Sequence, residues 1–180
     1  MENALIKLKP PLKKEEIKQL KAGDKVLITG NIYTARDAAH KAFAGQPPFE
    51  VDGQILFYAS PTPARPGRVI GSIGPTTASR MDSFIEPLFK LGLAATIGKG
   101  NRGPDAIELM KKYQVIYLLV PGGTAAALSK YVKKNTVIAY PELGAEAVLE
   151  LEVVDFPAIV AIDTQGKNLF EEGKRRYQTK

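Results

Sequence analysis

Cysteine and tryptophan are both missing from the 180 residues, and histidine occurs once, as His40. Without cysteine there are no disulfides, no Cys-based zinc site, no cysteine nucleophile, and no thiolate with which this chain could hold an iron–sulfur cluster. A single histidine leaves no His-rich metal site and one candidate for imidazole acid–base chemistry. No apolar run is long enough to cross a bilayer. The opening Met-Glu-Asn-Ala-Leu-Ile-Lys-Leu-Lys-Pro-Pro places Glu, Lys and Pro where a signal peptide needs an uninterrupted apolar segment. The expectation is a cytoplasmic chain without membrane contact, whose chemistry rests on Lys, Arg, Asp, Glu, Ser, Thr, Tyr and backbone amides.

A 44% hydrophobic and 24% charged composition suits one globular domain, over residues 1–180, with residues 1–12 as a possible flexible N-terminal arm. The formal charge of +6 favours anionic partners, and nucleic acid and small carboxylates fit that description equally.

Pattern along the chain gives alternating strands and helices. Lys14 to Lys21 has helical spacing through Ile17 and Leu20, and Lys25–Thr29 reads as a strand closed by a turn at Gly30. Thr34 stands as an N-cap with Asp37 three residues on, ahead of an Ala-rich helix to Phe43. Strands are expected at Gln54–Tyr58 and around Val69-Ile70, with a Pro-rich turn over Ser60–Pro63 between them. A helix with Phe84, Ile85, Leu88 and Phe89 as its apolar face follows, kinked or shortened by Pro87. Pro104 suits the first position of a helix to Tyr113, and Val115–Val120 a buried strand. A small-residue helix, Thr124–Val132, comes next. Strands are then expected at Thr136–Ala139, Ala147–Val153 and Ala158–Ile162, with a charged tail from Lys167. This order points to the α/β class with a mixed central sheet.

Three turns stand beside helices and each carries a cation: Thr34 to Arg36, Gly74 to Arg80, and Gly98 to Gly103. At the carboxyl edge of an α/β sheet, such helix entrances attract anions. Thr76 and Arg80 are i and i+4, so a hydroxyl and a guanidinium can face one ligand, and the planar fork of Arg suits a carboxylate. The same spacing is equally served by Thr76 or Thr77 capping a helix while Arg80 points to solvent. Gly98-Lys99-Gly100 can bring an ammonium and exposed amides to an anion, but lacks the spacing of a phosphate-binding P-loop. Arg36 and His40 would share a helix face beside Asp37, with no base partner identified for the imidazole.

Taken in order, Thr34-Ala-Arg-Asp-Ala-Ala-His40, Tyr58-Ala-Ser-Pro-Thr-Pro63, Gly74-Pro-Thr-Thr-Ala-Ser-Arg-Met-Asp82 and Gly98-Lys-Gly-Asn-Arg102 closely resemble the C-terminal domain of class I fumarase. The separate beta subunit of two-subunit fumarases and L(+)-tartrate dehydratases is similar in the same way. The likeness continues through Gly144–Ala147 and Asp155–Ala158. It implies a swivelling β/β/α three-layer domain that joins a larger alpha subunit, in an expected α2β2 assembly, to enclose a site for a small dicarboxylate. It further implies a [4Fe–4S] cluster held by three cysteines of the partner, so that this chain supplies no metal ligand, and reversible hydration of fumarate to L-malate. Carried over position by position, the substrate-binding arginines fall on Arg36 and Arg80, the active-site threonine on Thr76, and a lysine that both binds substrate and takes part in catalysis on Lys99. His40, Asp37 and Thr77 are expected to support them. Ser79 departs from the glycine often found in the family.

Tartrate dehydration to oxaloacetate uses nearly the same constellation and stays open as the alternative reading. A reading of another class, a stand-alone anion- or nucleic-acid-binding module, rests on the positive charge and the basic, Gly-rich loop. The basic loop has no interleaved aromatic residues, and Lys and Arg are spread along the chain, so no nucleic acid partner is expected.

Overall fold

Runs such as Ile55–Phe57 and Ile116–Leu119, apolar at every position, form stable strands only where both faces are covered. The computed structural model, which describes residues 5–178, supplies that cover. In chain order its elements are β1 (Ile6–Leu8), α1 (Lys14–Gln19), β2 (Lys25–Thr34), α2 (Asp37–Phe43), β3 (Ile55–Phe57), β4 (Ala59–Pro61), β5 (Ile73–Pro75), a 3-10 helix (Ala78–Phe84) leading into α3 (Ile85–Lys90), β6 (Ala95–Gly98), α4 (Pro104–Tyr113), β7 (Ile116–Leu119), α5 (Ala125–Leu128), β8 (Val132–Ala139), β9 (Val148–Ile162) and α6 (Leu169–Tyr177). Seven strands form one sheet in the order β1-β2-β3-β6-β7-β9-β8. Because β2 also pairs with β9, the five strands β2, β3, β6, β7 and β9 close into a ring. Neighbours among β1, β2, β3, β6 and β7 run parallel, whereas β9 is antiparallel to β2, β7 and β8. This is the expected α/β class with a mixed sheet, its three layers being the two walls of the ring and a layer of helices.

Strand alternation divides the core. Ile55, Phe57, Ile97, Ile116 and Leu118 point to the inside of the ring with Phe156 and Val160, and Leu56, Tyr58 and Tyr117 point outward under Met81, Ile85, Leu88 and Met110 of the helical layer. Each such Leu or Ile, withdrawn fully from water, stabilises the fold by about 2 kcal/mol. Pro104 does occupy the first helical position of α4, after Gly103 with extended backbone, and the helix ends at Gln114 in the left-handed region.

Several expectations change for physical reasons. Gly30 is not a turn: it lies inside β2 at φ +130°, where a side chain would be strained, and lets the strand continue to Thr34. Opposite it β9 bulges, since the pairs Ile28–Phe156 and Gly30–Val153 span three steps on β9 and two on β2. Asp155 takes up the extra residue at φ +52° and donates its N–H to Thr29 Oγ1 at 3.0 Å. What reads as two strands, 147–153 and 158–162, is therefore one.

Thr34 caps no helix. It is fully buried at the end of β2, its hydroxyl accepting the Leu149 N–H at 3.3 Å, and the N-cap of α2 is Arg36. No strand forms at Val69-Ile70; instead Ser60 and its neighbours, expected as a turn, pair as β4 with β5. Pro87 sits in the first turn of α3, where a proline is tolerated, and the helix is six residues long. The charged residues from Lys167 are mostly helix α6, capped by Asn168, whose side chain accepts the Phe170 N–H. Of the expected arm over 1–12, residues 6–8 form β1 on β2, and Leu8 and Leu12 are buried, because this face of β2 would otherwise expose its backbone edge. Residues 1–4 lie outside the described residues.

Candidate active site

Register puts the expected residues on one edge. Thr34 pairs with Phe57, Phe57 with Ile97, and Gly98 with Leu119, so the parallel strands end together, and Arg36, Ser60 and Lys99 leave from the same side. Past Tyr58, β3 and β6 part, and the segment Thr76–Ala78 enters between them. The Thr76 N–H donates to Tyr58 O at 2.6 Å, the Lys99 N–H to Thr76 O at 3.0 Å, and the Ala78 N–H to Lys99 O at 2.9 Å. Thr77 and Lys99 thus face each other as an isolated parallel bridge. Gly98 makes this approach possible: a Cβ there would stand 3.0 Å from Ala78 Cβ and 3.2 Å from Thr76 O.

Thr76 is largely buried, and its hydroxyl has no hydrogen-bond partner among the described residues. Lys99 is exposed, and its stem passes Gly122, whose added Cβ would be in ordinary contact with Lys99 Cδ at 3.6 Å. The Pro121-Gly-Gly turn, which carries no charge of its own, therefore flanks the aliphatic stem of Lys99. Among the described residues Lys99 has no ion-pair partner.

Arg36 and Arg80 differ from Lys99 in being held. Arg36 Nη1 donates to Ser60 Oγ at 3.0 Å, and its Nη2 lies 3.4 Å from Glu146 Oε1. Asp37 stands between the two guanidiniums, 2.9 Å from Arg80 Nη2 and 3.9 Å from Arg36 Nε. Arg36 Nε and Asp37 Oδ2 are nonetheless buried without a hydrogen-bond partner. Two guanidiniums, an ammonium and a threonine hydroxyl on one edge suit a small molecule with two carboxylates.

Behind this edge lies a buried layer that spacing did not reveal. His40 is 1% exposed, and its Nδ1 stands 2.8 Å from Arg36 O, so Nδ1 carries the proton and donates it. Nε2 is buried without a partner among Phe43, Tyr58 and Phe84. Burial pulls the imidazole down to about 4, against smaller opposing effects of the Arg36 carbonyl and Asp37, and keeps it neutral. Arg102, with a fully buried side chain, donates from Nε to Asp82 Oδ1 at 2.7 Å and from Nη1 to Thr96 Oγ1 at 3.2 Å, and lies over the rings of Tyr58 and Tyr117. Asp82 Oδ2 accepts the Gly103 N–H at 2.8 Å. Burial pushes the Tyr117 phenol up, so it stays protonated and donates to Gly100 O at 2.8 Å. The loop that presents Lys99 is thus fastened from beneath. The only sequence signal for Arg102 was its place in a matching motif, and for Glu146 likewise.

No group of three or more His, Asp or Glu side chains that could hold a metal ion occurs among the described residues, and the sequence has no cysteine, so the donor set does not fit an iron–sulfur cluster. No helix among the described residues is long and apolar enough to cross a membrane. A cavity of about 470 Å³ beside Arg65, Arg68 and Lys130, and an apolar groove of about 260 Å³ beside Val26 and Leu128, both lie apart from the four residues. The candidate site is exposed to solvent on the side of Lys99 and Arg80.

The family model described as fumarase C-terminus matches residues 1–173. A Methanocaldococcus jannaschii protein whose name provisionally makes it an L(+)-tartrate dehydratase beta subunit is 39% identical, over 94% of this chain and 93% of its own length. The L(+)-tartrate dehydratase subunit beta of Escherichia coli is 33% identical, over 94% of this chain and 89% of its own. Fumarate hydratase 2 of Leishmania major is 38% identical over 93% of this chain, which spans 31% of that protein.

Proposed function

Because the chain belongs to the fumarase C-terminal family, we propose that it is the beta subunit of a two-subunit hydro-lyase that hydrates fumarate reversibly to L-malate in the cytoplasm. The observation that carries this reading is the edge on which Thr76 and Lys99 are stitched together by backbone hydrogen bonds while Asp37 spaces Arg36 from Arg80.

In this reading Arg36, Arg80 and Lys99 neutralise the substrate's two carboxylates and stabilise the extra negative charge that one of them carries once the carbon beside it has lost a proton, or before that carbon gains one. The hydroxyl of Thr76 stands in the path of that proton. A threonine alone is too weak a base, so an acidic group of the partner activates it. Asp37, Thr77 and His40 hold these groups in place, His40 through the backbone of Arg36. The exposed side is closed by a cluster-bearing alpha subunit in an α2β2 assembly. The [4Fe–4S] cluster is assigned to that partner, since a cysteine-free chain has no thiolate for it.

A second reading, dehydration of L(+)-tartrate to oxaloacetate, is favoured by the relatives that match this chain nearly end to end and are named as beta subunits of that enzyme. Anaerobic co-expression with the cluster-bearing partner, followed by assays on fumarate and on L-tartrate, decides between them. Turnover should need both chains. An active pair indifferent to Thr76→Ala, Arg80→Ala and Lys99→Ala would remove the site assignment, and iron-free hydration by this chain alone would remove the subunit reading.

A further inference from the structure

Glu146 belongs to no expected set, yet it reaches the site from a distant part of the chain. Its place follows from register. The pairing of Thr34 with Leu149, reinforced by the Leu149 N–H to Thr34 Oγ1 hydrogen bond, makes the chain leaving β2 and the chain entering β9 pass the same point. The 3-10 turn Pro141–Glu146, bent by Gly144 at φ +58°, then lays the Glu146 carboxylate against the start of α2, 108 residues away in sequence from Ala38.

There it does two things at once. Oε2 accepts the Ala38 N–H at 3.0 Å, which supplies the cap that Arg36, an N-cap residue without an acceptor side chain, does not provide. Oε1 stands 3.4 Å from Arg36 Nη2. With Nη1 on Ser60 Oγ and Nη2 beside Glu146, the guanidinium is held at both ends of its fork, while Nε, 3.9 Å from Asp37, makes no hydrogen bond. An arginine side chain otherwise surrenders considerable rotamer freedom on gripping a carboxylate.

We infer that Glu146 is a positioning residue for substrate binding, which holds the Arg36 fork ready for a substrate carboxylate; this rests on the reading of Arg36 as a substrate-binding residue. The role is electrostatic as well as structural, because a neutral side chain of the same shape keeps the cap on Ala38 but gives up the ion pair.

The test uses the reconstituted two-subunit enzyme with Glu146→Gln, Glu146→Ala, Arg36→Ala and the double variant Arg36→Ala/Glu146→Gln. Readouts are KM, kcat and the inhibition constant of succinate, a non-reacting C4 dicarboxylate. Glu146→Gln should keep the wild-type melting temperature yet raise KM and the succinate constant about tenfold, with kcat changed less than threefold. Glu146→Ala should do the same and melt at a lower temperature. In the Arg36→Ala background Glu146→Gln should add nothing. Wild-type KM and succinate affinity in Glu146→Gln, or full additivity in the double variant, would overturn the inference. If Arg36→Ala itself leaves KM unchanged, the site reading falls; if Arg36→Ala raises KM and Glu146→Gln does not, only the role of Glu146 falls.

Discussion

Lys99 and Arg102 stand three positions apart on one loop and are cations of opposite character. Lys99 is exposed and without an ion-pair partner among the described residues, whereas the Arg102 side chain is sealed from solvent on Asp82, Thr96 and two tyrosine rings. Nε and Nη1 of Arg102 are hydrogen-bonded while Nη2 is buried without a partner, and removing the guanidinium would leave Asp82 without its ion pair, so Arg102 is committed to the fold. An exposed and unpaired charge costs the fold nothing and stays available to a ligand. At the start of α2 the contrast is between a partly exposed Arg36, held by Ser60 and Glu146, and a buried, neutral His40 whose Nδ1 donates to the Arg36 carbonyl. The candidate binding groups at this edge rest on a buried polar layer of His40, Thr96 and Arg102.

The comparison is most severely tested at Arg102. Arg102→Ala strips Asp82, Thr96 and Tyr58 of a common donor, and urea denaturation of the free chain should show a loss of about 3–5 kcal/mol. A loss under 1 kcal/mol would erase the distinction from Lys99.

His40 comes next. Its ordinary value of 6.5 is lowered to about 4 in the fold, so between these values the unfolded chain takes up a proton that the folded chain refuses. Its contribution is fully present above pH 6.5 and is lost as pH falls toward 4, by up to about 3 kcal/mol. Denaturation curves from pH 7.5 to 4.5 should flatten over this window in His40→Gln relative to the parent. Equal slopes would mean that the imidazole is not held neutral.

Lys99→Ala should reverse the pattern of Arg102. The reconstituted enzyme should lose about 100-fold in kcat/KM, equivalent to about 2.7 kcal/mol, while the stability of the free chain moves by less than about 0.5 kcal/mol. The smallest effect is expected at Asp37, whose partner Arg80 has a side chain 52% exposed. Asp37→Asn should shift the urea stability by less than about 1 kcal/mol, because water screens that pair.

What the sequence disclosed depended on distance along the chain. Ile55–Phe57, Ile116–Leu119 and the Pro104 helix start were legible because apolar runs and a proline act locally. Thr34 misled for the same reason: a threonine before an Ala-rich helix has the form of a cap, and only the pairing of β2 with β9 gives its hydroxyl another partner. Gly30 looked like a turn because local patterning cannot foresee a bulge in a strand still to come. At the site, Thr76, Arg80 and Lys99 could be picked out by motif and spacing. Their closeness could not, since the wedge between β3 and β6 rests on hydrogen bonds between segments far apart in sequence. Glu146 and Arg102 stood in matching motifs, but their contacts with Arg36 and with Asp82 were invisible in the same way.

The long strand β9 has a bearing on how the molecule is made. It closes the ring against β2 and β7 and carries β8 as well, so the last large piece of the sheet to leave a ribosome is the one that closes it. Until it emerges, β2 and β7 present unpaired edges of the kind that recruit foreign strands, and closure by such non-local pairing is slow. Arg36 and Lys99 are synthesised early, but Glu146, which pairs with Arg36, stands two residues before β9. A nascent chain stopped at β7 therefore carries the cations of the candidate site without the strand that frames them.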